Sequence, residues 1–128
     1  MMNPTEIDAW AAAYAAAAEL PSPQSPEDPH WPYIYRMMPG FCDSLDPEEI
    51  WQVILAVLDR TPSDIVLGNL AAGPLEDLVK CVGDQFVDRI ELEARRSPAF
   101  RTLLGGVWRS GSDIVWSRIE KARGGLRW

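Results

Sequence analysis

The chain has 128 residues, a hydrophobic fraction of 47%, a charged fraction of 24% and a net charge of −7. That length suits one domain whose core needs no disulfide or metal staple. The acidity disfavours nucleic acid and anionic membrane surfaces as partners, because both repel an acidic protein.

The first predicted element is a helix over residues 4–20. Asn3 is its cap, Pro4 takes the first helical position, and Glu6 completes a capping-box pattern. Ile7, Trp10, Ala11, Tyr14 and Ala18 recur at helical spacing and form one stripe. Pro21 and Pro23 stop it. Residues 21–32 hold five of the eleven prolines and read as an extended loop. Residues 33–38 fit a short helix or an extended strap.

Asp46-Pro47-Glu48-Glu49 is a second helix start, with Asp46 as cap and Glu49 closing the box. Ile50, Trp51, Val53, Ile54, Leu55, Val57 and Leu58 cover about 200° of the wheel, twice the stripe of a surface helix. This helix is therefore expected at the centre, with Glu48, Gln52 and Asp59 facing water. Ser63 caps a helix ending near Ala72, where Gly73-Pro74 breaks it and Pro74 starts the next. Glu76 and Asp77 read as first-turn acids complementing that helix's dipole. Gly83 is expected to stop it, and Asp84 to begin another with Phe86, Val87, Ile90 and Ala94 inward. Ser97-Pro98 starts a short helix, Gly105-Gly106 ends it, and Ser112 caps the last, stopped by Gly124-Gly125. No segment alternates as a strand does. The expectation is an all-α single domain of six or seven helices, packed as an irregular bundle or stacked hairpins. Its parts are the alanine-rich helix (1–20), the loop and strap (21–45), a helical core (46–123) and a tail (124–128).

The charge is uneven. Residues 1–60 hold ten acids against two bases, and residues 61–128 hold nine against ten. A protein partner with a basic surface fits such a chain. Cys42 and Cys81 are too few for a disulfide framework and read as free buried thiols of a reducing compartment. The segment Trp10 to Leu20 lacks the basic flank and apolarity of a signal peptide, and no run spans a membrane. The expected location is cytoplasmic.

No constellation for catalysis, cofactor or metal emerges. The one histidine, His30, sits in the proline loop without a rigid setting. One histidine and two distant cysteines do not match zinc spacing. Gly105-Gly106 lacks the strand and pattern of a phosphate cradle. Asp84, Asp88 and Glu91 lie at i, i+4, i+7 on one helix face, opposite the apolar stripe, and read as a solvated face. Trp10, Trp51 and Trp116 fall on apolar faces and read as core. Trp31, Trp108 and Trp128 do not, and Leu92 falls among polar neighbours; exposed tryptophan is enriched at binding hot spots.

Three stretches, LAAGPLEDLV (70–79), FVDRIELEARRSPAFRTLLGGVW (86–108) and VWSRIE (115–120), resemble a group of small bacterial proteins classed as a domain of unknown function. The resemblance covers about residues 50–123. It implies a bacterial source and transfers no catalytic residue.

The functional expectation is a non-enzymatic protein-binding protein that neutralises a partner, most concretely an immunity protein for a bacterial toxin. Its candidate contact residues are Glu48, Glu49, Asp84, Asp88, Glu91, Leu92 and Trp108. Small acidic inhibitors bury a target's basic cleft, and complementary charge speeds capture. The alternatives are an inhibitor of a nucleic-acid-binding defence complex, a module self-associating through the alanine-rich helix, and an enzyme using carboxylates alone.

Overall fold

A computed structural model describes residues 3–18 and 46–124. The expectations for the proline loop with His30 and Trp31, for Cys42 and for Trp128 lie outside these residues. Among the described residues all regular structure is helical: α1 (Pro4–Ala18), α2 (Pro47–Asp59), α3 (Asp64–Leu70), α4 (Glu76–Arg96), α5 (Pro98–Leu104) and α6 (Asp113–Arg123).

Local chemistry starts α1, α2, α3, α5 and α6 where the sequence places the start. Asn3 Oδ1 accepts the Glu6 N–H at 2.8 Å, and Asp46 Oδ1 accepts the Glu48 N–H at 2.9 Å. Ser63, Ser97 and Ser112 accept from Val66, Phe100 and Val115. Each cap supplies an acceptor for an N–H that has no partner inside the helix.

Two expected breaks are absent, so the described residues hold five helical rods rather than six or seven. A π-helical turn (Ala71–Leu75) joins α3 to α4 without interruption. Pro74 has no N–H, and its ring would strike the preceding turn of an α-helix. The wider π turn absorbs both problems, and the rod continues. Glu76 and Asp77 therefore do not stand at a free helix end. Likewise Gly83 stops nothing. α4 only kinks at Val82 (φ −137°, ψ 27°). A Cβ on Gly83 would lie 3.0 Å from Val115 Cγ1, so the glycine lets α6 cross α4 closely.

One apolar cluster runs through the described helices. Ile7, Trp10, Ala11 and Tyr14 of α1 are buried, as the stripe predicts, and burial pushes the Tyr14 phenol above its ordinary value. α2 is central: Ile50, Val53, Ile54 and Val57 are fully buried. Trp51 meets Phe86 of α4 at 5.8 Å and Phe100 of α5 at 5.5 Å between ring centres, the latter edge-on. The most extensive helix pairs are α1 with α2 and α4 with α6. Cys81 is disulfide-bonded rather than a free thiol, so it gives no support to a reducing compartment.

The turn between α5 and α6 passes over α4 at Gly111. Its φ is +75°, and a Cβ there would lie 2.9 Å from the Val79 carbonyl oxygen. Gly111→Ala should cost about 2 kcal/mol in urea denaturation, from left-handed strain plus backbone displacement.

Candidate functional site

Three of the five acidic candidates, Glu48, Asp88 and Glu91, are claimed by two arginines. Arg89 of α4 donates to both carboxylate oxygens of Glu48, with Nη2 to Oε1 at 2.9 Å. The same guanidinium lies over the Trp51 and Phe86 rings, 5.5 and 5.1 Å from their centres. The Arg89 hydrogen bond holds Glu48 below the usual carboxylate range. Arg118 of α6 donates from Nε to Glu91 Oε2 at 3.0 Å and from Nη2 to Asp88. Its hydrogen bond lowers Glu91 in turn, and its own pKa is raised by the two carboxylates. These pairs are fork-shaped and charge-assisted, and they spend acidity inside the molecule.

Asp84 is exposed, and Glu49 is half-buried on the turn it shares with Glu48. Asp88 and Glu91 share Arg118 rather than a common pocket. Glu91 lines a recess with Arg95, Arg101 and Lys121 that Asp88 does not reach. A carboxyl that donates protons near neutrality needs a raised pKa, and Glu91 is moved the other way.

Trp108 stands elsewhere. The turn that carries it is pinned at both ends. Gly106 and Val107 N–H groups donate to Leu103 and Leu104 carbonyls at 3.0 and 3.1 Å. The Val107 side chain is buried, Ser110 Oγ donates to the Trp108 carbonyl at 2.9 Å, and Arg109 pairs with Asp113. Between these anchors the Trp108 residue is 77% exposed. Beside it opens a pocket of about 560 Å³, walled by Gly105, Gly106 and Trp108 on one side and by Trp116, Glu120 and Arg123 of α6 on the other. On the α6 wheel, Arg118 lies about 140–160° from Trp116, Glu120 and Arg123. Trp108 and the Asp88–Glu91 pair therefore occupy opposite flanks of α6. The seven candidates form separate surfaces, not one.

A model of a family of unknown function matches residues 21–126. The chain belongs to that family, DUF6869. The matched DUF6869 range takes in residues 21–45, which the motifs do not reach, and the whole turn that bears Trp108. No curated protein and no solved structure matches the sequence. Among the described residues no helix is long and apolar enough to cross a membrane, and no group of three His, Cys, Asp or Glu is placed to hold a metal ion.

Several residues escape the sequence reading. Ile114 is as exposed as Trp108, and Ile65 is exposed as well. Ile114 sits on the polar side of the α6 stripe, a signal the wheel contains. Asp77 is buried, and its Oδ2 lacks a partner among the described residues. Desolvation raises its pKa; Glu76 adds to the rise and Lys80 opposes it.

These shifts give opposite pH limbs. Asp77 has a raised folded pKa, so its contribution is present below the unfolded value near 3.9 and is lost as pH rises through the folded one. Glu48 and Glu91 have lowered folded pKa values, so theirs is present above about 4.3 and is lost as pH falls through the folded values. Stability should therefore be greatest at about pH 4, falling on the acid side as Glu48 and Glu91 are protonated and on the other side as Asp77 ionises. Urea titrations on both sides of this maximum check it. Asp77→Asn should remove the neutral-side limb and add about 1 kcal/mol at pH 7. Glu48→Gln should cost less than about 1 kcal/mol, because both partners keep solvent contact.

Proposed function

We propose that this protein is a non-enzymatic binding module that docks a partner protein against the indole of Trp108. Its most concrete form is an immunity protein that neutralises a toxin. One observation carries the reading: a large aromatic side chain is displayed on a turn already ordered by hydrogen bonds and an ion pair. Displaying an indole to water forgoes its burial, about 1.5–3 kcal/mol for a large apolar side chain. A partner that covers it recovers that energy without ordering the turn first.

The net charge of −7 supports a basic partner, because a field of that sign steers cationic surfaces. Much of that charge comes from residues 1–60. Leu92 and the acidic residues on the far flank of α6 suit a partner wide enough to wrap that helix.

Affinity capture with the full chain, followed by identification of the partner, tests this. The expected result is one basic protein bound by the wild type, weakened at least about tenfold by Trp108→Ala and untouched by Ile65→Ala. Its on-rate should fall with added salt. In the immunity form, co-expression of the chain should also abolish the partner's toxicity. If Trp108→Ala binds the identified partner as tightly as wild type, the assignment of this surface fails. A wild-type dimer that Trp108→Ala converts to monomer in light scattering would show the indole to be covered by a second copy instead.

A further inference from the structure

Arg123 is the most deeply buried cation among the described residues, at 7% exposure. It makes no hydrogen bond or ion pair there; its guanidinium lies over the Trp116 ring, 5.2 Å from the centre. Most of the side chain is withdrawn from water with no counter-charge there, which weakens the hydration of its guanidinium, and an aromatic face offsets only part of that. The negative end of the α6 dipole favours an arginine in the last turn. That does not explain its inward course, since a solvated arginine would serve the dipole equally. Asp77 Oδ2 is the only sealed, unpartnered side-chain atom among the described residues, so the Arg123 nitrogens keep access to solvent. Arg123 lines the pocket beside Trp108.

We propose that this pocket binds a small aromatic monocarboxylate, its two oxygens on the Arg123 guanidinium and its ring against Trp108. A guanidinium offers paired donors that match two carboxylate oxygens. The Gly105, Gly106 and Val107 N–H groups are engaged by carbonyls of α5, so no backbone nest competes with Arg123 for the anion. Of the two lining cations among the described residues, Arg109 is already paired with Asp113, which leaves Arg123 as the one guanidinium open to a ligand; a single cation beside Glu120 suits a monoanion over phosphate. The indoles of Trp108 and Trp116 with Val107 supply an apolar wall for a planar body. A volume of about 560 Å³ accommodates a molecule of that size. The proposal shares Trp108 with the protein-partner reading but does not rest on it, because Arg123 and the pocket carry it and Arg123→Gln tests it separately.

NMR titration of the full chain with benzoate, using benzyl alcohol and inorganic phosphate as comparators, tests it. The expected result is saturable shifts at the Gly105 and Gly106 amides, the Trp108 indole N–H and the Arg123 Nε. Benzoate should bind at least about tenfold more tightly than either comparator. Arg123→Gln should weaken benzoate binding about tenfold or more. Should that variant fail to fold, Trp108→Ala and Glu120→Gln decide, since both side chains are exposed. The first should weaken benzoate about tenfold, and the second should tighten it about threefold by removing a repulsion. No saturable shift up to about 20 mM benzoate, equal binding of benzyl alcohol or phosphate, or unchanged affinity in both surface variants would overturn the proposal.

Discussion

Trp51 is the piece on which the rest of the molecule is built. It projects from the central helix α2 and packs on Phe86 of α4 and on Phe100 of α5. One side chain thereby fixes three helices against each other. Arg89 closes the cluster from the solvent side, lying over two of the rings while its fork holds Glu48. Aromatic contact, cation and carboxylate thus reinforce one another at the junction of α2 and α4. Removal of any one leaves either a void or a half-paired charge.

The second constraint is the continuity of the rod from Asp64 to Arg96. Pro74 widens the helix to a π turn instead of ending it, and Gly83 thins it where α6 crosses. The turn between α5 and α6 then lies over α4, held by the close approach of Gly111 to the Val79 carbonyl. That position exposes Trp108 and leaves the space between the turn and α6 open. The candidate site is thus a by-product of how three helices pack, and its rigidity comes from the same contacts.

The charges have a matching logic. Glu48, Asp88 and Glu91, which a linear reading treats as an acidic surface, are engaged by Arg89 and Arg118. They hold helices together more than they advertise a field. The unbalanced groups lie elsewhere: a carboxylate at Asp77 and a guanidinium at Arg123, both buried. Buried groups without full compensation are where a structure is least explained by stability alone. The proposed carboxylate site follows from the second of these.

The sequence by itself determined the all-helical class, the cap residues and the inward faces. Asn3, Asp46, Ser63, Ser97 and Ser112 act on N–H groups two or three residues away, so their effect is local and readable. Trp10, Trp51 and Trp116 were legible as core by helical period, and Trp108 as an outlier from it. Tertiary structure decided the rest. Whether Pro74 breaks a helix depends on what packs around the widened turn, and no local rule contains that. The reach of Arg118 to Asp88 and Glu91, the disulfide at Cys81 and the burial of Asp77 and Arg123 depend on groups distant in the chain or on packing around them. Composition showed that the chain was acidic; only the fold decided which acids were already paired, and that Arg123 lay buried without a counter-charge among the described residues.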